Sequence, residues 1–246
     1  MGSLLRQFSD RSRAITWACL GVIVATATAY LAAMNGGAGF SDLLLRLCTP
    51  AGEAGFATAF LMWAAMVLAM MLPAASPMIS AYLDIAEAAK AKQIYVAPSF
   101  VLAAGYMAVW LGFAAGAAVL ETLMRDFPQN RVFPGLVLIA AGLYQFTPLK
   151  HACLSKCRSP MSYFLSRWSD RPIRVLAMGV EQGAACLGCC WALMALGFVA
   201  GLMNLAWMAF IAALTILERM LADPKALTHG VGTGLIAAGL AIMVVG

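Results

Sequence analysis

The sequence predicts an all-α fold, a polytopic bundle of transmembrane helices, and three observations support it. Of the 246 residues, 63% are hydrophobic and only 11% are charged, and the mean hydropathy is +0.87. Soluble domains are typically about 45–50% apolar and about 25% charged. The apolar residues form long uncharged runs between short charged loops, as expected where the bilayer is the solvent. No domain boundary appears, so we expect one integral membrane domain over residues 1–246.

Runs of about 17–25 apolar residues are long enough to cross a bilayer, and the sequence holds about seven such spans. They cover residues 14–34, 54–79, 98–120, 132–148, 174–201, 205–217 and 227–245. Pro98 suits the first helical turn of the third span. The sixth span is the least distinct, because only Met203 and Asn204 separate it from the fifth.

The positive charges orient this bundle, because cytoplasmic loops are enriched in lysine and arginine. With a cytoplasmic N-terminus, thirteen of the 16 lysines and arginines fall in cytoplasmic segments. The other three are Arg46, Arg125 and Arg131. We therefore predict a multi-pass membrane protein with its N-terminus inside. The lipid bilayer is the expected partner, and the net charge of +5 requires no nucleic acid.

The predicted loop after the fourth span contains a short amphipathic segment. Ser159 is a suitable N-cap, and Pro160 suits the first helical position. Apolar residues follow at helical spacing: Met161, Phe164, Leu165 and Trp168. With Arg167 nearby, they favour a helix over about residues 160–170 that lies in the membrane interface. A helix packed against the bundle fits the same pattern equally well.

Seven cysteines cannot all pair within the chain, and their spacing favours thiolate chemistry over a disulfide framework. Cys186, Cys189 and Cys190 lie in the fifth span, where spacings of three and four place them on one helical face. Three thiols together at membrane depth suit a thiophilic ion such as Cu(I). A single free cysteine would be explained more simply as a small buried apolar residue.

A second group of soft ligands lies in the predicted cytoplasmic loop. His151, Cys153 and Cys157 are close in sequence, and an imidazole with two thiolates can form a metal-binding or relay site. Basic residues surround this group, and they are equally well explained as topology signals and lipid contacts. We predict His151, Cys153 and Cys157 as metal ligands at the cytoplasmic face.

Methionines in the second span form a third group. They are Met62, Met66, Met70, Met71 and Met78. Met66 and Met70 are candidate thioether ligands for Cu(I), although methionine also fills gaps in packed helices. Pro73 and Pro77 are expected to kink the span and to free backbone carbonyls that need partners inside the protein.

The remaining polar residues show no catalytic pattern. Glu181 and Gln182 precede the thiol cluster, and His229 stands alone and is expected to be structural. No paired-carboxylate relay, phosphate-binding loop or Ser/His/Asp set is present in the sequence. We therefore predict no catalytic residues, and the chain is not expected to be an enzyme.

Six rare strings occur in a fixed order along the chain. They are MVLAMMLP at 66–73, GYMAVW at 105–110, YQFTPLK at 144–150, CLSKCRSP at 153–160, CLGCCW at 186–191 and MNLAWM at 203–208. Together they resemble a bacterial family of predicted metal-binding integral membrane proteins, a domain of unknown function. The resemblance covers about residues 55–220 and implies metal binding without an established activity. Gln182 is the expected departure, because the resemblance implies a histidine there.

The leading functional hypothesis is a copper-handling membrane protein. Its cysteine and methionine ligands would bind Cu(I) for homeostasis or for delivery to a membrane cuproenzyme. One alternative is a transmembrane thiol–disulfide electron carrier. Another is a non-catalytic assembly subunit of a larger membrane complex, since the glycine-rich seventh span allows close helix packing. A solute transporter is less well supported, because the spans show no buried charge cluster.

Overall fold

The computed structural model describes residues 56–124, 132–197, 205–221 and 223–245, with single positions between 18 and 29. The four continuous ranges contain α-helices and no β-strand, so the predicted all-α fold is confirmed for them. The helices are α1 (Phe56–Ala74), α2 (Ser76–Ala91), α3 (Ser99–Met124), α4 (Val132–Tyr144), α5 (Pro148–Arg158), α6 (Pro160–Arg167), α7 (Pro172–Ala195), α8 (Leu205–Met220) and α9 (Lys225–Val245).

Four of the described helices are long and apolar enough to cross a membrane. They are Phe56–Ala74, Ser99–Leu123, Pro172–Ala195 and Lys225–Val244. A further candidate is the bent pair of α4 and α5, whose axes meet at 64°. The predicted sixth span is α8, a helix of 16 residues. The predicted first span falls largely outside the described residues, so the number seven stays a prediction.

The second predicted span is divided into two helices, α1 and α2, which separate at Ala75. Pro77 has no N–H and cannot donate to the carbonyl four residues earlier. Carbonyls near this break also accept hydrogen bonds from side chains of other helices. Tyr106 Oη donates to the Met71 carbonyl at 3.3 Å, and Arg219 Nη1 donates to the Ala74 carbonyl at 3.0 Å. The two helices that supply these donors, α3 and α8, are therefore fixed to the break.

Close packing of α3 against α7 holds the centre of the bundle. The closest approaches occur at glycines, which are Gly105 on α3 and Gly179 and Gly183 on α7. A methyl group at Gly179 would overlap the carbonyl oxygen of Leu102, and one at Gly105 would overlap that of Leu176. Small residues at such positions let two helix backbones approach closely. This contact fixes the depth and rotation of α7 within the bundle.

Replacing Gly179 by leucine is expected to force α3 and α7 apart. Because the obstructing atom belongs to the backbone of α3, the cost should reach about 3 kcal/mol or more, the upper end for overpacked cores. Thermal unfolding followed by circular dichroism measures the loss. Gly112→Leu on α3 is the matched control, since a methyl group there meets no atom within 4 Å. Equal stability of the two variants would contradict the expected role of this contact.

The glycine-rich helix α9 packs against α4. Four glycines lie at this contact: Gly135 and Gly142 on α4, and Gly232 and Gly239 on α9. The feature that suggested an assembly partner is therefore used at least partly within the chain. At Gly230 and Gly234, by contrast, a methyl group would meet no atom within 4 Å.

The predicted amphipathic helix is present as α6 and packs against α2. Phe164 is fully buried, and its ring lies edge-on to that of Tyr82 at 5.9 Å. Tyr82 donates to the carbonyl of Ala97 at 2.6 Å, and burial raises the pKa of Tyr82 to about 12. Leu165, the next residue of α6, points away from this contact and is 67% exposed. Of the two readings of this segment, packing against the bundle is therefore observed.

Candidate metal centre

Helix α7 carries three thiols on its buried face. Pro172 occupies the first turn of the helix, where a missing N–H costs nothing. Cys186, Cys189 and Cys190 are 1%, 2% and 1% exposed, and their Sγ atoms all lie within 4.8 Å of one another. The common face predicted from their spacing is confirmed, and the three sulfurs are close enough to share one ion.

The three thiols are also linked by hydrogen bonds. Cys189 and Cys190 donate to the carbonyl oxygen of Cys186 at 3.1 Å and 2.9 Å. Both S–H groups therefore point toward the backbone carbonyl of Cys186 rather than into the surrounding apolar side chains. On deprotonation, each sulfur would offer a thiolate ligand at the same place.

Helix α5 brings a fourth thiol to the cluster. The helix begins at Thr147, whose Oγ1 accepts from the Lys150 N–H at 3.4 Å, and Pro148 follows in the first turn. The 64° bend after α4 turns α5 onto α7. As a result, Cys157 Sγ lies 4.0 Å from Cys189 Sγ. The loop thiols and the span thiols, which the sequence suggested as two sites, are adjacent.

Cys153 lies one turn earlier on α5 and is half-buried. Its sulfur packs against α7 at Gly188, where a methyl group would come within 2.5 Å of it. Glycine at position 188 therefore makes room for Cys153 next to the cluster. Cys153 is beside the four grouped thiols, and its sulfur faces the backbone of α7.

Two residues outside the predicted set contact the sulfur of Cys186. Arg219 Nη2 on α8 lies 2.7 Å from Cys186 Sγ and 3.8 Å from Cys189 Sγ. Tyr106 Oη on α3 lies 2.9 Å from Cys186 Sγ. The distribution of basic residues in the sequence predicts that Arg219 lies in a cytoplasmic segment. The structure instead places its guanidinium group beside the thiols.

A cavity of about 100 Å³ opens next to these sulfurs. Its walls include Cys157, Cys186, Arg219, Gln182 and Met78. One water occupies about 30 Å³ in the liquid, whereas sites for drug-sized ligands need about 300 Å³ or more. The cavity therefore suits an ion with a few waters rather than an organic substrate. Gln182, the expected departure from histidine, faces this same space.

The predicted methionine ligands are buried in α1. Met66 and Met70 are 3% and 6% exposed, two turns and one turn before Ala74. The cavity wall begins at Ala74 and includes Met78, but it includes neither Met66 nor Met70. The structure thus places Met78 in the wall of the cavity beside the thiols, rather than either of the two methionines that the sequence favoured.

His151 is turned toward α9 rather than grouped with the thiols. Its ring lies 5.8 Å from that of His229, which stacks on Phe146 at 5.1 Å. The expectation that His229 stands alone is therefore wrong. His151 and Cys153 are neighbours in sequence, but consecutive helical positions point in different directions.

A buried ion pair lies close to the centre. Lys150 Nζ on α5 lies 2.8 Å and 3.0 Å from the two carboxylate oxygens of Glu218 on α8. Their side chains are 0% and 2% exposed. Gln145 Oε1 accepts from Lys150, and Thr228 donates to Glu218 at 3.4 Å. Lys150 and Glu218 lie just beyond the predicted spans 132–148 and 205–217, so the absence of a buried charge cluster within the spans stays a prediction.

Two residues near the site that the sequence analysis did not predict there, Glu218 and Arg219, have a recognisable position in the sequence. Glu218 and Arg219 directly follow the apolar run 205–217, and the sequence placed them in a loop after it. In the structure, helix α8 continues through both of them. A charged pair on the last turn of an apolar helix, rather than beyond it, marks side chains that reach into the bundle. Tyr106 gave no comparable signal.

The donor set decides which ions the centre can hold. Thiol sulfur is a soft ligand that suits Cu(I) and zinc, whereas magnesium and calcium prefer oxygen. The three groups that come close enough to share an ion in the described residues are all cysteines. A soft ion therefore fits this centre, and copper fits it by the chemistry of its donors.

Comparison with known proteins agrees with this chemistry. Residues 60–242 match the PpoB2 family, which is described as a copper chaperone. No curated protein and no solved structure matches the chain. The family match covers well over half of the 246 residues, including all four grouped thiols and Arg219. The chain therefore belongs to the PpoB2 copper chaperone family.

Proposed function

We propose that this protein is an integral membrane copper chaperone that carries Cu(I) on thiolates of α5 and α7. The observation that supports it most is the grouping of four thiols from two helices. Three sulfurs lie within 4.8 Å of one another, and Cys157 Sγ lies 4.0 Å from Cys189 Sγ. Copper is the cargo, and the recipient is a membrane cuproenzyme or another component of copper homeostasis.

A chaperone must release its ion as well as bind it. Cu(I) is held well by two or three soft ligands, so four grouped thiols exceed what one ion needs. A surplus thiol lets the ion change partners one ligand at a time. Cys157 stands on α5, apart from the three thiols of α7, and lies at the cavity wall, so it is the thiol best placed for such an exchange.

The membrane setting of this proposal has support of three kinds. Four described helices have the length and composition to cross a bilayer. On α9, large apolar side chains are exposed, with Leu240 at 52% and Val244 at 82%. Lys150 and Arg219 contact internal groups, but eleven of the fourteen other basic residues still fall in the predicted cytoplasmic segments. We propose seven spans in the bacterial inner membrane, with the N-terminus inside.

Copper content tests the proposal directly. Protein purified from copper-replete cells under reducing conditions is expected to carry stoichiometric copper. The variant with Cys186, Cys189 and Cys190 all changed to serine is expected to carry none. Ala185→Ser is the matched control, since it adds a hydroxyl to the same buried stretch of α7 and removes no thiol. Wild-type protein that is free of copper would overturn the proposal.

A second candidate, a thiol–disulfide carrier, is favoured by the proximity of Cys157 to Cys189. A disulfide has an S–S bond of about 2.05 Å, so the two sulfurs would have to approach by about 2 Å. In the exchange, the disulfide of a partner protein is reduced to two thiols while Cys157 and Cys189 are oxidised to a disulfide. Alkylation of resting cells would trap a mixed disulfide that disappears in Cys157→Ser. A site that only binds metal gives no such adduct.

A further inference from the structure

We propose that Arg219 is the counter-charge of the copper site and biases it toward a monovalent ion held by Cys186 and Cys189. This inference rests on the proposed function and adds to it a residue that determines metal selectivity. Arg219 is not a ligand, because a guanidinium group has donors and no acceptor. Its role is to neutralise the complex that the thiolates form.

The position of the guanidinium group is well defined. Nη2 lies 2.7 Å from Cys186 Sγ and 3.8 Å from Cys189 Sγ, while Nη1 donates to the Ala74 carbonyl at 3.0 Å. The contact to Ala74 ties the group to the break between α1 and α2. The Nε atom is buried and has no hydrogen-bond partner within the described residues. A buried donor without a partner is costly, so this placement needs a compensating interaction.

Among the described residues, the sulfurs of Cys186 and Cys189 are placed to supply the negative charge that compensates Arg219. The neighbouring carboxylate, Glu218, is engaged by Lys150 at 2.8 Å and 3.0 Å. No carboxylate is among the described residues that line the cavity, and the other cation there is Arg158. Arg158 donates to the carbonyl of Leu221. Thiolates are therefore the anions available to Arg219.

The net charge of the metal–thiolate complex then distinguishes a monovalent ion from a divalent one. Two thiolates with Cu(I) carry a net charge of −1, and Arg219 brings the group to zero. Two thiolates with a divalent ion such as Zn(II) are already neutral, and Arg219 leaves a net charge of +1. An uncompensated charge away from water is expensive, so the site favours the monovalent ion. Removing the arginine charge is expected to remove this bias toward the monovalent ion.

The test compares Cu(I) and Zn(II) affinities, measured by chelator competition under anaerobic, reducing conditions, in wild-type protein, Arg219→Met and Arg219→Lys. Arg219→Met should weaken Cu(I) binding by about 30-fold or more, because one member of a desolvated charge pair is lost. Zn(II) binding should fall less or rise. Arg219→Lys keeps the positive charge and should retain most of the wild-type ratio of Cu(I) affinity to Zn(II) affinity. The control Arg167→Met removes an arginine that is 60% exposed and should leave the ratio unchanged.

The outcomes separate this inference from the proposed function. If wild-type protein binds no copper, the proposed function fails. If wild-type binds copper and Arg219→Met leaves Cu(I) affinity unchanged, or weakens both metals by the same factor, only the inference is overturned. X-ray absorption at the copper edge of the wild-type protein tests it without any variant. Two sulfur ligands are expected, and three or four would contradict the charge balance.

Discussion

Replacing Cys186 by serine is expected to remove copper binding almost completely, whereas Cys153→Ser should retain most of it. Cys186 is the centre of the group, because its sulfur contacts Arg219 and Tyr106 and its carbonyl accepts from the other two thiols of α7. Changes to groups that only support a metal ligand typically cost about 10- to 100-fold in affinity. Loss of a central ligand should therefore exceed about 100-fold.

The two serine variants form a matched pair. Both replace one thiol by a hydroxyl at the contact between α5 and α7, but the Cys153 sulfur faces Gly188 rather than the grouped sulfurs. Cu(I) affinity is measured by competition with a chromogenic chelator, and circular dichroism checks the helical content of each variant. Equal losses in both variants would show that the copper ligands are not centred on Cys186.

Changing Lys150 to methionine is expected to destabilise the protein by about 3–5 kcal/mol, because it leaves the Glu218 carboxylate buried without its partner. The pair is 0% and 2% exposed, so water cannot replace the lost interaction. Changing both residues to methionine removes the unpaired charge and should recover most of the stability. The free energy of unfolding of the single and double variants gives the coupling between them.

An exposed ion pair of the same chain provides the control. Arg167 and Glu181 are also 2.8 Å apart, but their side chains are 60% and 48% exposed. Arg167→Met should therefore cost less than about 1 kcal/mol. If Lys150→Met cost no more than Arg167→Met, the Lys150–Glu218 pair would not hold α5 and α8 together.

The buried pair also bears on the metal centre. Lys150 and Cys157 both belong to α5, while Glu218 and Arg219 are consecutive on α8. The ion pair thus joins the helix that carries Cys157 to the helix that carries the proposed counter-charge. We therefore expect stability and metal binding to be coupled through these two helices.

Much of the fold followed from the sequence because it depends on local spacing. The apolar runs predicted the helices α3, α7 and α9 closely, and spacings of three and four placed Cys186, Cys189 and Cys190 on one face. The prolines predicted a break in the second span, and the structure has it between α1 and α2. These features are properties of one helix and need no knowledge of its neighbours.

The composition of the candidate metal centre was decided by the packing of helices against one another. Glycines at the contact of α3 and α7 set the position of the thiols, and the bend after α4 brought Cys157 to Cys189. The same packing places Arg219 beside Cys186, Lys150 beside Glu218 and His151 beside His229. Helical spacing specifies which side chains share a face, whereas the tertiary structure determines which faces meet. The sequence alone therefore determined the candidate thiols and the chemistry of the site, and the tertiary structure brought Cys157 to the three thiols of α7 and placed a charge beside them.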